Sequence, residues 1–353
     1  MNRQNFTTRR SGVSRCPGPT RPRTLRNPAG PSVVHHNPRR SRFARLLRFV
    51  LFWLVLSCLH ANPPEPTVAD GSYAPEPACR FTFWRLPDAT KAPLVIYIHG
   101  GGFIRGARND MANLAGPTMD KGFAVMTIDY PFTQNLPVQA ILRLCARAVQ
   151  YARAQAPAWG IDPHRIICIG GSAGAGASLW IAVHPDLADP SSADPVARES
   201  SRISGAGLVD TQLTYNMFRW AELVGYTGPL ADMEFFSPVT LYHFKSNDDT
   251  PPDTPQARAM LQDVDMHGMI DARTPPLVLR SQYSSDPPVN RGDFIHHPRH
   301  AEGIVKRAKE FKVPVDHAPA DRNGPNAFLQ IVDHFRLHSP APSPEGSGLG
   351  GAR

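Results

Sequence analysis

The sequence predicts an α/β protein with a mostly parallel central sheet covered by helices on both faces. Three observations predict it. Short apolar runs alternate with segments whose apolar residues recur at helical spacing, an order that lays strands side by side through helical crossovers. Two of the runs end in glycine-rich turns, His99-Gly-Gly-Gly-Phe103 and Gly170-Gly-Ser-Ala-Gly174, and the second turn opens a helix. The length, 353 residues, suits one such domain with extensions, and no internal repeat is visible.

The elements follow in order. Residues 93–98 form a strand, 110–121 a short helix, and 123–130 the next strand. Residues 137–155 carry Val138, Ile141, Leu142, Cys145 and Val149 at helical spacing, so a helix packs there. A strand at 165–169 runs into the second glycine turn, followed by a helix from Ala173 to Val183. Ile203–Val209 is the next strand. Residues 211–275 hold Tyr215, Phe218, Trp220, Phe235, Phe236 and Tyr242 among many prolines; this insert reads equally as a cap over the site or as a packed surface excursion. A late strand at 275–282, a helix at 299–311, a last strand at 313–317 and a closing helix at 326–338 complete the domain, which spans residues 80–338. The tail 339–353 is rich in Pro, Gly and Ser and reads as disordered.

The net charge of +8 belongs to the leader. Residues 1–48 carry twelve arginines and no acid, whereas the other 305 residues carry 26 basic and 30 acidic side chains. The domain's own balance therefore gives no support to nucleic-acid binding. Residues 49–61 hold an apolar run, Phe49–Leu59, shorter than the roughly 20 residues that comfortably span a bilayer. It reads as a signal-peptide h-region or an uncleaved anchor, which sets the expectation of a secreted or periplasmic protein with membrane attachment through this segment. Residues 62–79, Asn-Pro-Pro-Glu-Pro and onward, read as an extended linker. Cys79, Cys145 and Cys168 follow it; the last two read as core positions.

The two turns carry the chemistry. A serine raised on a sharp strand-to-helix turn is exposed to attack a carbonyl, and Ser172 sits where Gly170 and Gly174 remove side chains that would collide with the neighbouring backbone. Negative charge then builds on the carbonyl oxygen. Backbone N–H groups of Gly100, Gly101 and Ala173 are placed to cradle it. An ordinary helix N-cap is the structural alternative for Ser172, and loop-holding hydrogen bonds are the alternative for His99. A serine nucleophile needs a base, and the base an orienting acid. Asp286, just beyond the late strand, is the candidate acid, with a turn aspartate before proline as its alternative. In the α/β-hydrolases that these two turns resemble, the histidine follows the last strand; here that stretch holds Pro325 and Asn326, and an Asn side chain takes no proton near neutral pH. The base is then sought at His297, with His296 and His317 as alternatives. Adjacent histidines rarely face one metal ion, so no metal is assigned.

At these two turns the chain resembles α/β-hydrolases, namely esterases of the hormone-sensitive-lipase-like and acetyl-xylan or feruloyl esterase-like groups. Ser172–Trp180, Asp186–Pro190, Asp194–Ser200 and Ile295-His-His-Pro298 are similar to stretches of secreted bacterial α/β-hydrolase-like proteins. The resemblance implies the α/β-hydrolase fold and ester hydrolysis with no cofactor, on a small acyl or polysaccharide-linked ester. It carries over Ser172, the oxyanion glycines and Asp286, and no histidine. The vacancy at 325–326 supports a second reading, in which the fold persists as a catalytically impaired binding module.

Overall fold

Strands built from unbroken apolar runs are stable only when both of their faces are covered. The computed structural model, which describes residues 63–228, 241–243, 253–283, 287–320 and 326–338, shows such a sheet. The chain enters through β1 (Val68–Ser72), β2 (Arg80–Trp84) and β3 (Ala92–Ile98). A 3-10 turn (Arg108–Leu114) and α1 (Ala115–Met119) lead to β4 (Ala124–Ile128). Next come α2 (Val138–Ala154), α3 (Ala156–Trp159), β5 (Ile161–Gly171), α4 (Ala173–Val183) and β6 (Gly205–Val209). After β6 lie α5 (Trp220–Val224), α6 (Pro255–Asp263) and α7 (Met266–Met269). The chain closes with β7 (Leu277–Ser281), α8 (Arg291–Ile295), α9 (Pro298–Glu310), β8 (Val315–Pro319) and α10 (Ala327–His338).

The strands lie in the order β1-β2-β4-β3-β5-β6-β7-β8. β1 pairs antiparallel with β2 and β2 with β4, and every other pairing is parallel. Strand alternation splits each apolar run between two cores. Leu94, Ile96 and Ile98 of β3 face one side with Met126, Cys168 and Leu208, against Ile141, Leu142, Cys145 and Trp180. Val95 and Tyr97 face the other with Val125, Ile167, Ile169 and Val278, against Leu114, Ile331, Val332 and Phe335. Cys145 and Cys168 are core residues, as expected, and both are free thiols, as is buried Cys79.

Three readings are corrected. Residues 62–79 are not all linker, because β1 lies within them and pairs with β2. Its sequence, Val-Ala-Asp-Gly-Ser, lacks an apolar face because an edge strand with one neighbour needs little burial. The helix expected over 110–121 is split into the 3-10 turn and α1. The last strand runs to Pro319, which puts His317 inside it rather than at its end. The insert 211–275 supplies α5, α6 and α7, while Phe235 and Phe236 lie outside the described residues. Among the described residues, no helix is long and apolar enough to cross a membrane.

Candidate active site

The site is built at the carboxyl end of β5, between β3 and β6. Register places Gly170 beside Ile98 on one side and Leu208 on the other. The chain then turns sharply into α4 at Ser172, whose φ of 52° and ψ of −118° are strained for a non-glycine residue. The Ser172 N–H donates to Val209 O at 2.9 Å, anchoring the turn to β6. Close packing permits no side chains around it. A Cβ on Gly170 would fall 2.2 Å from the Gly174 carbonyl carbon, and one on Gly174 only 2.0 Å from Ile98 O.

Ser172 is no capping residue: it occupies the N-cap position of α4, yet its side chain makes no capping hydrogen bond. Its Oγ lies 2.8 Å from His296 Nε2 instead. This is the correction that matters most, since His297 was expected first and His296 as an alternative. The two neighbours are divided by helix geometry. His296 ends α8, with its backbone N–H bonded to Gly292 O at 3.0 Å, and its ring stacks on Tyr283 at 4.9 Å. His297 is the N-cap of α9, where its Nδ1 accepts from the Arg299 N–H at 3.2 Å. Pro298 occupies the first helical position, a placement that marks the preceding residue as the cap. That signal was present in the sequence. His317 is corrected too: within β8, its Nε2 contacts Ser281 Oγ of β7 at 3.2 Å.

His296 is held from several directions. Asn290 caps α8, its Oδ1 accepting from the Asp293 N–H at 3.0 Å, while Asp293 accepts from the Asn290 amide at 2.8 Å. Gln212, just beyond β6, donates to Ile295 O at 3.1 Å and ties the histidine's turn to the sheet. Burial pushes the His296 pKa below the ordinary imidazole range, against a smaller raising effect from the Gly292 backbone. The neutral ring is the form that can accept the serine proton. Its Nδ1 is buried without a hydrogen-bond partner among the described residues. Asp286, the candidate acid, lies outside the described residues, three positions beyond the Tyr283 that stacks on this ring. Pro325 also lies outside them, and Asn326 Oδ1 accepts from the Phe328 N–H at the start of α10.

The glycine turn after β3 forms the facing wall. His99 is buried and holds the loop: its Nδ1 lies 2.7 Å from Gly100 O, and its ring stacks on Tyr130 at 4.2 Å. The Tyr130 hydroxyl donates to His99 O at 2.7 Å and reaches Gly100 O at 3.1 Å. Burial lowers the His99 pKa, which suits a neutral ring whose Nδ1–H donates to that carbonyl. Gly101, at φ +101°, together with Gly102, Phe103, Ser172 and Ala173, lines a cavity of about 220 Å³. Among the described residues, the backbone hydrogen bonds of turns and loops use no N–H of Gly101, Gly102 or Ala173. Gly100 is not among the cavity's lining residues, although its N–H, like those of Gly101, Gly102 and Ala173, is used by none of these bonds. It packs on the elbow, where a Cβ would come 2.8 Å from Gly171 O, and Gly102 lines the cavity wall beside Gly101. Tyr215 and Trp220 of the 211–275 insert, with Ile295, Arg105, Arg291, Gln212 and His296, also line the cavity.

Residues 85–227 match the family model BD-FAE, an α/β-hydrolase family. The chain has the α/β-hydrolase fold. Solved structures of similar fold include the acetyl ester-xyloside bifunctional hydrolase of Caldicellulosiruptor lactoaceticus, at 18% identity and a TM-score of 0.58, covering 78% of this chain and 97% of that one. A truncated carbohydrate esterase from gut microbiota gives 15% and 0.59, over 78% and 99% of the two chains. Propionate-bound esterase 2 of the planctomycete Thermogutta terrifontis gives 17% and 0.55, over 79% and 97%. No curated protein matches the chain in sequence.

Proposed function

We propose that this α/β-hydrolase is a serine carboxylic ester hydrolase acting on a small acyl or polysaccharide-linked ester. The observation that carries the reading is the 2.8 Å contact between Ser172 Oγ and His296 Nε2, in the lining of a cavity walled by the glycine turn. In the reaction so read, Oγ attacks the ester carbonyl carbon while Nε2 takes its proton. The carbonyl oxygen gains negative charge beside the N–H groups of Gly101, Gly102 and Ala173. The C–O bond then breaks, and the alcohol leaves with the proton from His296. Water repeats the sequence on the acyl-serine and releases the acid. Asp286 is assigned to the orienting carboxylate that Nδ1 of His296 calls for. The arginine-rich leader and the apolar Phe49–Leu59 run support a secreted or periplasmic location, with attachment through that run where it is not cleaved.

Treatment with a fluorophosphonate probe tests the reading. The expected result is a covalent adduct on Ser172, lost in Ser172→Ala and strongly slowed in His296→Ala. A folded protein that forms no adduct at Ser172 returns the site to the binding-module alternative.

A further inference from the structure

Among the described residues, the charged side chains lining the cavity are Arg105 and Arg291, and none is Asp or Glu. Both are exposed, and among the described residues no ion pair or hydrogen bond engages either guanidinium. The chain's other arginines show that this is not how it usually spends them: Arg108 holds Asp129, Arg219 holds Asp265, and Arg280 holds Asp316. Two described acids close to them in sequence are engaged. Asp110 accepts from the Ala107 N–H at 2.9 Å, and buried Asp293 is bonded to Asn290.

Each arginine is also carried by an element that builds the site. Arg291 is the first residue of α8, the helix that ends at His296. Arg105 lies on the glycine turn, where its own carbonyl packs so tightly on Gly101 that a Cβ there would sit 2.1 Å from it. That contact fixes the backbone of Arg105 relative to the oxyanion wall. Phe103, Tyr215, Trp220 and Ile295 give the same cavity aromatic and aliphatic surface, with Gln212 as a neutral polar side chain beside Ser172 and His296. Guanidinium groups at the mouth of an apolar cavity recognise carboxylates through charge-assisted, often bidentate hydrogen bonds.

We propose that the site selects esters that bear a carboxylate, with Arg105 and Arg291 binding that carboxylate while Ser172 meets the ester carbonyl. This deepens the hydrolase reading and rests on it. The carboxylate can belong to the acyl group or to the alcohol, and two substrate pairs separate these sources. Mono-4-nitrophenyl adipate is compared with 4-nitrophenyl hexanoate, and 4-acetoxybenzoate with its neutral methyl ester.

In at least one pair, kcat/KM should favour the charged ester by about tenfold. That ratio should collapse in Arg105→Gln, Arg291→Gln and the double variant, and should shrink at high salt. Equal or inverted ratios in both pairs, or a preference that survives the double variant, overturn the proposal. If no ester is turned over and Ser172 is not labelled, it is the hydrolase reading that has failed. Calorimetric titration with adipate then decides the anion site: binding by the parent that the double variant lacks supports it, and absent or unchanged binding refutes it.

Discussion

At the scale of single residues, the site turns on two adjacent histidines with different duties. His296 faces the nucleophile and His297 caps a helix, so their alanine variants should fail in different ways. His297→Ala loses a cap and a buried ring, at a cost of about 1 kcal/mol or more in unfolding free energy, and should keep most of its ester turnover. His296→Ala should lose turnover by a factor of about 10³ or more while melting near the parent. Equal loss of turnover in both would contradict this division of roles. The pH profile supplies a second check. A general base works only when neutral, so activity falls as pH drops through the His296 pKa. Burial lowers that pKa, whereas a carboxylate at Nδ1, the role assigned to Asp286, raises it, so Asp286→Asn should move the acidic limb of kcat/KM to lower pH. An unmoved limb would count against Asp286 as the partner of Nδ1. Much of this site was legible in the sequence. Ser172 and the glycine turn stand out because strained backbone demands glycine at fixed spacing. His296 was within reach, since the Pro298 that follows the pair marks His297 as the cap. The roles of Gly100 and Gly102 were not legible, because which N–H lines the cavity depends on the path of one loop.

At the scale of elements, the elbow works because three backbones touch. β5, α4 and β3 meet at Gly170 and Gly174 with no room for a methyl group. In Gly174→Ala the new Cβ would stand 2.0 Å from Ile98 O and 2.6 Å from His99 O, both backbone atoms. The clash should cost about 3 kcal/mol or more and displace the glycine turn along with the nucleophile. Gly116, in the first turns of α1, is the natural control. Its added Cβ meets nothing nearer than Pro64 Cδ at 3.5 Å, so Gly116→Ala should gain up to about 1 kcal/mol in helix preference. Urea unfolding of the two variants should move in opposite directions. If Gly174→Ala is as stable and active as the parent, the tight elbow is not what holds the site. The elements that form these contacts are also the ones the sequence showed best. β3 and β5 carry apolar runs that end at glycine turns and α4 is the apolar helix that follows one, whereas β1 is polar, sits at an edge and carries no periodic signal. Short pieces such as α8 are set by tertiary packing around Asn290 and Tyr283, which local propensity does not record.

At the scale of the whole molecule, the described core buries several imidazoles, and this sets how the fold meets acid. His300, in the first turn of α9, is fully buried against Trp220. Its Nδ1 accepts from the Leu213 N–H at 3.4 Å, joining α9 to the segment that leaves β6. Burial pushes its pKa down to about 3, whereas the unfolded chain offers an ordinary imidazole near 6.5. Between those values the unfolded state binds a proton that the folded state refuses. The stabilising contribution is therefore complete above about pH 6.5 and is lost as pH falls toward 3, by about 1.4 kcal/mol per unit. His99 and His296, also lowered by burial, act with the same sign. Replacing His300 by Gln keeps an acceptor within reach of Leu213 but removes the titration. Urea unfolding at about pH 7.5 and about pH 5 should show the parent losing roughly 2 kcal/mol more than His300→Gln over that interval. Parallel losses in parent and variant would mean that His300 takes up its proton in the folded state, and that α9 is packed more loosely on the sheet than its burial indicates.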